Sequence, residues 1–160
     1  MNLQKVFDLQ RDLDESFSKN ISPNETNLQL KVIIALIVEI SEFANEVQEF
    51  KYWKVHKNIN QAALLEEYAD GIHFLSSMCV AHNVDSNIEP IKLYDNFSQQ
   101  LAEVYKASTI LFSELNAKNL KYAYSLYLGL ALTIGLSEDE ILDSFYKKNE
   151  INFQRAKNKY

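Results

Sequence analysis

Residues 32–50 read VIIALIVEISEFANEVQEF. Seven apolar residues, Val32 to Val38, run into Glu39, and Glu42, Glu46 and Glu49 come after it at helical spacing. An isolated carboxylate in apolar surroundings is costly and takes up a proton unless a partner neutralises it. Either one turn of this helix reaches solvent, or something cationic sits against it.

The surrounding sequence supplies the helices that such a segment needs. Apolar residues recur at three- and four-residue spacing almost throughout, and only three Gly and two Pro occur in 160 residues, which favours long uninterrupted helices. The first is predicted over 3–19, with Leu3, Val6, Phe7, Leu9, Leu13 and Phe17 inward. NISPNET (20–26) ends it, because Pro23 disfavours helix at Ser22 and Asn24 can cap the next helix. The second helix is predicted over 25–52 and, after the polar KVHKNINQ (54–61), the third over 60–82. NVDSNIEP (83–90) separates a fourth over 91–115, and a shorter fifth covers 119–133. In GLSEDEILDSF (135–145), Ser137 and Glu140 have capping-box spacing and open a sixth helix reaching Lys157. With no repeat or linker, the expectation is one all-α domain over 1–160: a single-domain bundle of about six helices with a four-helix metal-binding core.

Composition narrows the function classes. The 47% hydrophobic and 24% charged content is that of a soluble globular protein, and the length suits one core. The single Cys79 excludes an internal disulfide and Cys-based zinc binding; its apolar neighbours make it a core residue. A net charge of −6 without a basic stripe argues against nucleic-acid binding. The acidic, amphipathic N-terminus lacks the apolar region of a signal peptide, and the longest apolar run is too short for a membrane. A cytoplasmic protein with neither a nucleic-acid nor a membrane partner is expected.

Glu39 and Glu42 share a face of the second helix, with Glu46 one turn on. The third helix carries LLEEYADGIHF (64–74), in which Glu67 and Asp70 form a second pair at the same spacing in equally apolar company. In an antiparallel hairpin the two pairs face each other, and four converging carboxylates repel unless cations lie between them. All-oxygen ligation points to Mg²⁺ or Mn²⁺. The plain alternative is a solvated face, which suits Glu49 and Glu66 better than the two pairs. His73, one turn after Asp70, offers a single Asp-x-x-His, whereas a ferritin-like di-iron site needs Glu-x-x-His from two helices. A core or supporting histidine is the simpler reading.

EISE (39–42) together with EEYAD (66–70) resembles the ExxE…ExxD signature of the all-α nucleoside triphosphate pyrophosphohydrolases. That group includes MazG-type enzymes, phosphoribosyl-ATP pyrophosphatases and dimeric dUTPases. Four further stretches resemble the dimeric dUTPase family in particular. LQRDLD (9–14) resembles its Gln-x-x-Leu-Asp/Asn element, which implies that Gln10 contacts uracil. ANEVQEFKYWK (44–54) resembles a segment carrying Trp53, and DGIHF (70–74) one whose His73 and Phe74 line the base pocket. YKKNEINFQR (146–155) resembles the element that binds sugar and phosphates, through Lys148, Asn149, Asn152 and Arg155. Relatives often continue into a glycine-bearing tail; RAKNKY (155–160) has no glycine, and Lys157 and Lys159 become the candidate phosphate contacts there.

Spacing alone puts Lys148, Asn152 and Arg155 on one helical face, a Lys and a forked Arg suited to anionic oxygens. Cations in a final turn also meet the helix macrodipole, which is the plain alternative. The resemblance implies a Mg²⁺-dependent homodimer that hydrolyses dUTP and dUDP to dUMP. Glu39, Glu42, Glu67 and Asp70 would hold metal, Glu39 would also orient or deprotonate water, and Lys148 and Arg155 would offset phosphate charge. Two alternatives stay open: a house-cleaning pyrophosphohydrolase for another nucleotide, such as dCTP, and a non-catalytic helical interaction protein.

Overall fold

Asn and Ser side chains start four of the helices by accepting the backbone N–H groups that a first turn leaves unpaired. The computed structural model describes residues 1–158. Its elements are α1 Gln4–Ser18, α2 Leu28–Val47, α3 Gln61–Ala81, α4 Phe97–Ile110, α5 Ala117–Thr133 and α6 Glu138–Lys157. Asn60, Asn96 and Asn116 cap α3, α4 and α5, and Ser137 with Glu140 forms the expected capping box on α6. Among the described residues there is no strand, only an isolated bridge between Asn2 and Asn87. Over the described residues the chain is a single all-α bundle of six helices.

Two helices are shorter than their patterns imply. At the start of α2, Asn24 does not cap; the residue preceding the helix is Asn27, in a left-handed conformation. At its other end Gln48 turns left-handed (φ 60°) and donates its backbone N–H to the Ala44 carbonyl. The buried Gln48 side chain then donates to the Asn58 carbonyl and accepts from Lys54, so residues 48–60 fold as turns. In α4, residues 91–95 are an extended strap rather than helix. Ile91 donates its N–H to the Ser125 carbonyl of α5 (2.8 Å). The fully buried Gln100 side chain accepts from the Leu93 and Tyr94 N–H groups and donates to the Ile91 and Leu126 carbonyls. These long-range bonds outcompete the local helical pattern.

α3 is the central element and packs against α1, α2, α5 and α6. Behind it, Tyr68 and Tyr127 stack at 4.8 Å, and each hydroxyl donates to the other's backbone carbonyl. Gly71 makes room, since a Cβ there would lie 2.3 Å from the Tyr127 hydroxyl. α5 is buried from Ala123 to Ala131, so that part of the helix is interior packing, while Tyr122 and Leu132 are exposed. Cys79 is fully buried as well.

α2 is apolar on more than one side. Ile33, Leu36 and Ile40 are buried, while Leu30, Ile34 and Val38 are 46–47% exposed. That outward stripe has no partner within the described residues.

Candidate active site

Glu39 from α2 and Glu67 and Asp70 from α3 each offer a carboxylate oxygen, and the three atoms lie within 4.8 Å of one another. At that distance and an effective dielectric of about 20, each fully ionised pair repels by roughly 3 kcal/mol. The proton affinities reflect this crowding. Glu39 is raised to about 7 by burial first and by the charges of Asp70, Glu42 and Glu67 next, with Lys148 opposing. Glu67 and Asp70 are also raised, in both cases chiefly by burial. Glu42 is exposed. It stands at the edge of the group rather than in it, while its charge still reaches Glu39 and Glu67.

Lys148 of α6 supplies counter-charge. Its ammonium donates to Asp70 Oδ2 at 2.6 Å and to Glu66 Oε1 at 2.7 Å. Hydrogen bonds to both carboxylates hold its pKa up against the opposing effect of burial, the largest single influence on it. The donor set fits a hard divalent cation: carboxylate oxygens without nitrogen or sulfur, partly open to the water such an ion retains.

Beside these carboxylates lies a cleft of about 410 Å³, walled by residues of α1, α2, α3 and α6. Glu39, Asp70, Gln10, His73, Phe74, Asn152 and Arg155 all line it. Gln10 Nε2 donates to Asp14 Oδ1 at 2.7 Å, leaving its Oε1 2.7 Å from His73 Nδ1. His73 Nδ1 therefore carries the proton, and Nε2, buried without a partner, presents a lone pair. The ring stacks on Phe145 at 4.3 Å. Burial foremost, then the Lys148 charge, lowers its pKa to about 3 despite the Phe145 backbone carbonyl, so His73 is neutral at physiological pH.

Not every expected residue is gathered there. Trp53 lies on the 48–60 connection, 61% exposed against Phe50 and Tyr52, and is not in the cleft. Lys148 lines a neighbouring pocket of about 330 Å³ with Glu66 and Ser144. Asn149 is buried with Oδ1 unpartnered. Arg155 Nη1 donates to Asn152 Oδ1 at 3.4 Å. Lys157 is exposed at the end of α6, and Lys159 lies outside the described residues.

Two carboxylates that spacing assigns to a solvated face have partners. Glu49 accepts from Asn96 Nδ2 at 3.0 Å and from Ser98 Oγ, tying α2's exit to the start of α4. Glu66 binds Lys148 across 82 residues of sequence, a pairing that no local spacing announces. Asp14 joins the site without having been expected there; its place one helical turn after Gln10 is a readable signal.

Acidic groups on adjacent helices, a basic helix face and a cleft lined by both make up the candidate active site. The model of the family described as dUTPase matches residues 2–160, and the chain belongs to that family, the all-α dimeric dUTPases; membership implies a dUTP diphosphatase. A search of curated proteins finds no match.

Proposed function

We propose that this protein hydrolyses dUTP and dUDP to dUMP with Mg²⁺, or Mn²⁺ in its place, held by Glu39, Glu42, Glu67 and Asp70. The observation that carries this reading is the shared cleft. Carboxylates of α2 and α3, the Gln10–His73–Phe74 group and the Asn152–Arg155 face of α6 come from distant stretches and line one space.

The base assignment rests on hydrogen-bonding direction. The neutral His73 Nε2, buried until nucleotide parts the side chains around it, is an acceptor that matches the N3–H of uracil; cytosine presents a lone pair at N3 instead. Gln10 keeps one amide hydrogen and one oxygen lone pair for the base after binding Asp14 and His73. Phe74 packs against the ring. A polar site left with mismatched groups discriminates far more strongly than an apolar pocket. With purified protein, Mg²⁺ and each deoxynucleotide in turn, kcat/KM for dUTP is expected to exceed that for dCTP by at least about 100-fold. Equal turnover of dCTP would sink the base assignment and leave a hydrolase of another nucleotide.

A divalent cation bound here supplies charge neutralisation along the phosphate chain and acidifies water. Glu39, the carboxylate of greatest proton affinity, takes the proton from the water that attacks the β-phosphorus. Lys148 and Arg155 offset the charge that develops on the phosphate oxygens. Asn149 and Asn152 bond the sugar or a phosphate.

The outward stripe of α2 suits a second copy of this chain, since a helix apolar all round needs cover on both sides. Ile34→Glu combined with Val38→Glu is expected to yield a monomer by sedimentation, against a dimer for the unsubstituted protein. An unchanged dimer would place the interface elsewhere. No described helix is long and apolar enough to cross a membrane; a cytoplasmic location is part of the proposal.

A further inference from the structure

Lys148 has two carboxylate partners of different standing. Its side chain is only 5% exposed and bridges Asp70, 18% exposed, and Glu66, 49% exposed. Asp70 belongs to the close group of three carboxylates, and Glu66 does not. Both lie on α3 one turn apart, so a single ammonium reaches both with two of its three N–H groups.

A divalent cation taking Asp70 competes directly with this ammonium. Nζ sits 2.6 Å from Asp70 Oδ2, on the same carboxylate whose charge a metal would draw on, and two adjacent cations repel. If Asp70 were its only partner, Lys148 would surrender a buried charge's sole counter-ion whenever metal entered. Glu66 changes that balance by giving the ammonium a second anchor outside the group. The Arg155 charge also reaches Glu66, so this carboxylate moderates repulsion between the two α6 cations.

We propose that Glu66 is the positioning residue of Lys148: it holds the ammonium beside the cleft while Asp70 passes to the metal. The inference rests on the reading of Glu39, Glu67 and Asp70 as metal ligands. It adds a residue that neither ligates metal nor touches nucleotide, and whose effect runs through Lys148.

Mn²⁺ binding without nucleotide, measured by titration calorimetry, tests this in a double-mutant cycle of Glu66→Gln and Lys148→Met. Glu66→Gln is expected to weaken Mn²⁺ binding about 3- to 10-fold, because Lys148 then clings to Asp70. Lys148→Met should tighten binding, and in that background Glu66→Gln should change it less than about twofold. Equal loss in both backgrounds would overturn the proposal, since Glu66 would then act as a ligand or a distant charge; so would no loss in either. Glu66→Asp gives an independent arm that holds even if Lys148→Met does not fold. It keeps the charge but shortens the reach, so it should behave like Glu66→Gln, and unsubstituted affinity would refute the anchoring role. If the unsubstituted protein binds no Mn²⁺, the metal site itself fails and this inference falls with it. Normal Mn²⁺ binding without dUTP turnover would instead fault the proposed reaction and leave the cycle interpretable.

Discussion

Glu39→Gln is expected to lower dUTP turnover by about three orders of magnitude while making the cation-free protein more stable at pH 8. Both effects have one source. Glu39 is held among like charges in a half-buried place, and its pKa is raised from 4.5 to about 7. The folded chain therefore keeps a proton that the unfolded chain has lost, across the window between those values. Stability from this group is complete below pH 4.5 and is lost as pH rises through 7. Above 7 the ionised carboxylate costs about 1–2 kcal/mol, after discounting for the screening of a half-exposed group. Glutamine removes that cost, raising Tm by roughly 3–5 °C for a chain of this size.

His73 acts in the opposite direction. Its pKa is lowered from 6.5 to about 3, so its contribution is full above 6.5 and falls away as pH drops toward 3. Between pH 4.5 and 6.5 the two groups largely cancel in the unsubstituted protein. The informative quantity is the Tm difference between Glu39→Gln and the unsubstituted chain, measured in chelator. It should grow from near zero at pH 4.5 to its full value by pH 8. A difference independent of pH would contradict the charge crowding assigned to Glu39.

The largest stability effect is expected far from the chemistry, at Gly129. A Cβ there would sit 2.0 Å from the Ile91 carbonyl oxygen and 2.4 Å from its carbon. Those atoms are backbone, pinned by Ser125 and by Gln100, so no side-chain rotation relieves the overlap. Gly129→Ala should cost about 3–5 kcal/mol, overwhelming the gain of up to about 1 kcal/mol from helix propensity. Thermal unfolding should show a Tm lower by on the order of 10 °C. Gly135, at φ 81° with nothing within 4 Å of a built Cβ, is the contrast: its alanine variant strains the turn without a clash, for about 1 kcal/mol. An unchanged Tm for Gly129→Ala would mean that the 91–95 strap does not lie against α5 as described.

The contrast between Gly129 and Glu39 shows what the sequence made legible. Glu39 interrupts an apolar stripe, and Glu67 with Asp70 repeats the pattern on the next helix, so periodicity sufficed to pair α2 with α3. The capping box at Ser137 likewise marked the start of α6. Gly129 carries no such sign. Its importance comes from the remote 91–95 strap, which has a helical pattern but is held extended by Gln100. The same holds for Gln48, whose left-handed turn ends α2 before Trp53 and leaves that residue outside the cleft. Glu66 and Glu49 have the spacing of surface charges because their partners, Lys148 and the start of α4, are remote in sequence. Asp14 was readable at i+4 from Gln10, but its orienting role needed the position of His73. Local spacing exposes groups that share a helix face; it does not expose a hydrogen bond across the bundle.

Product analysis with dUTP, with and without Mg²⁺, tests the metal-dependent reaction most directly. Purified protein should release one pyrophosphate for each dUMP formed, only with Mg²⁺ present, and none after Glu67→Gln. Orthophosphate as the first product, or turnover that persists in chelator, would contradict a metal-dependent pyrophosphohydrolase built on these carboxylates.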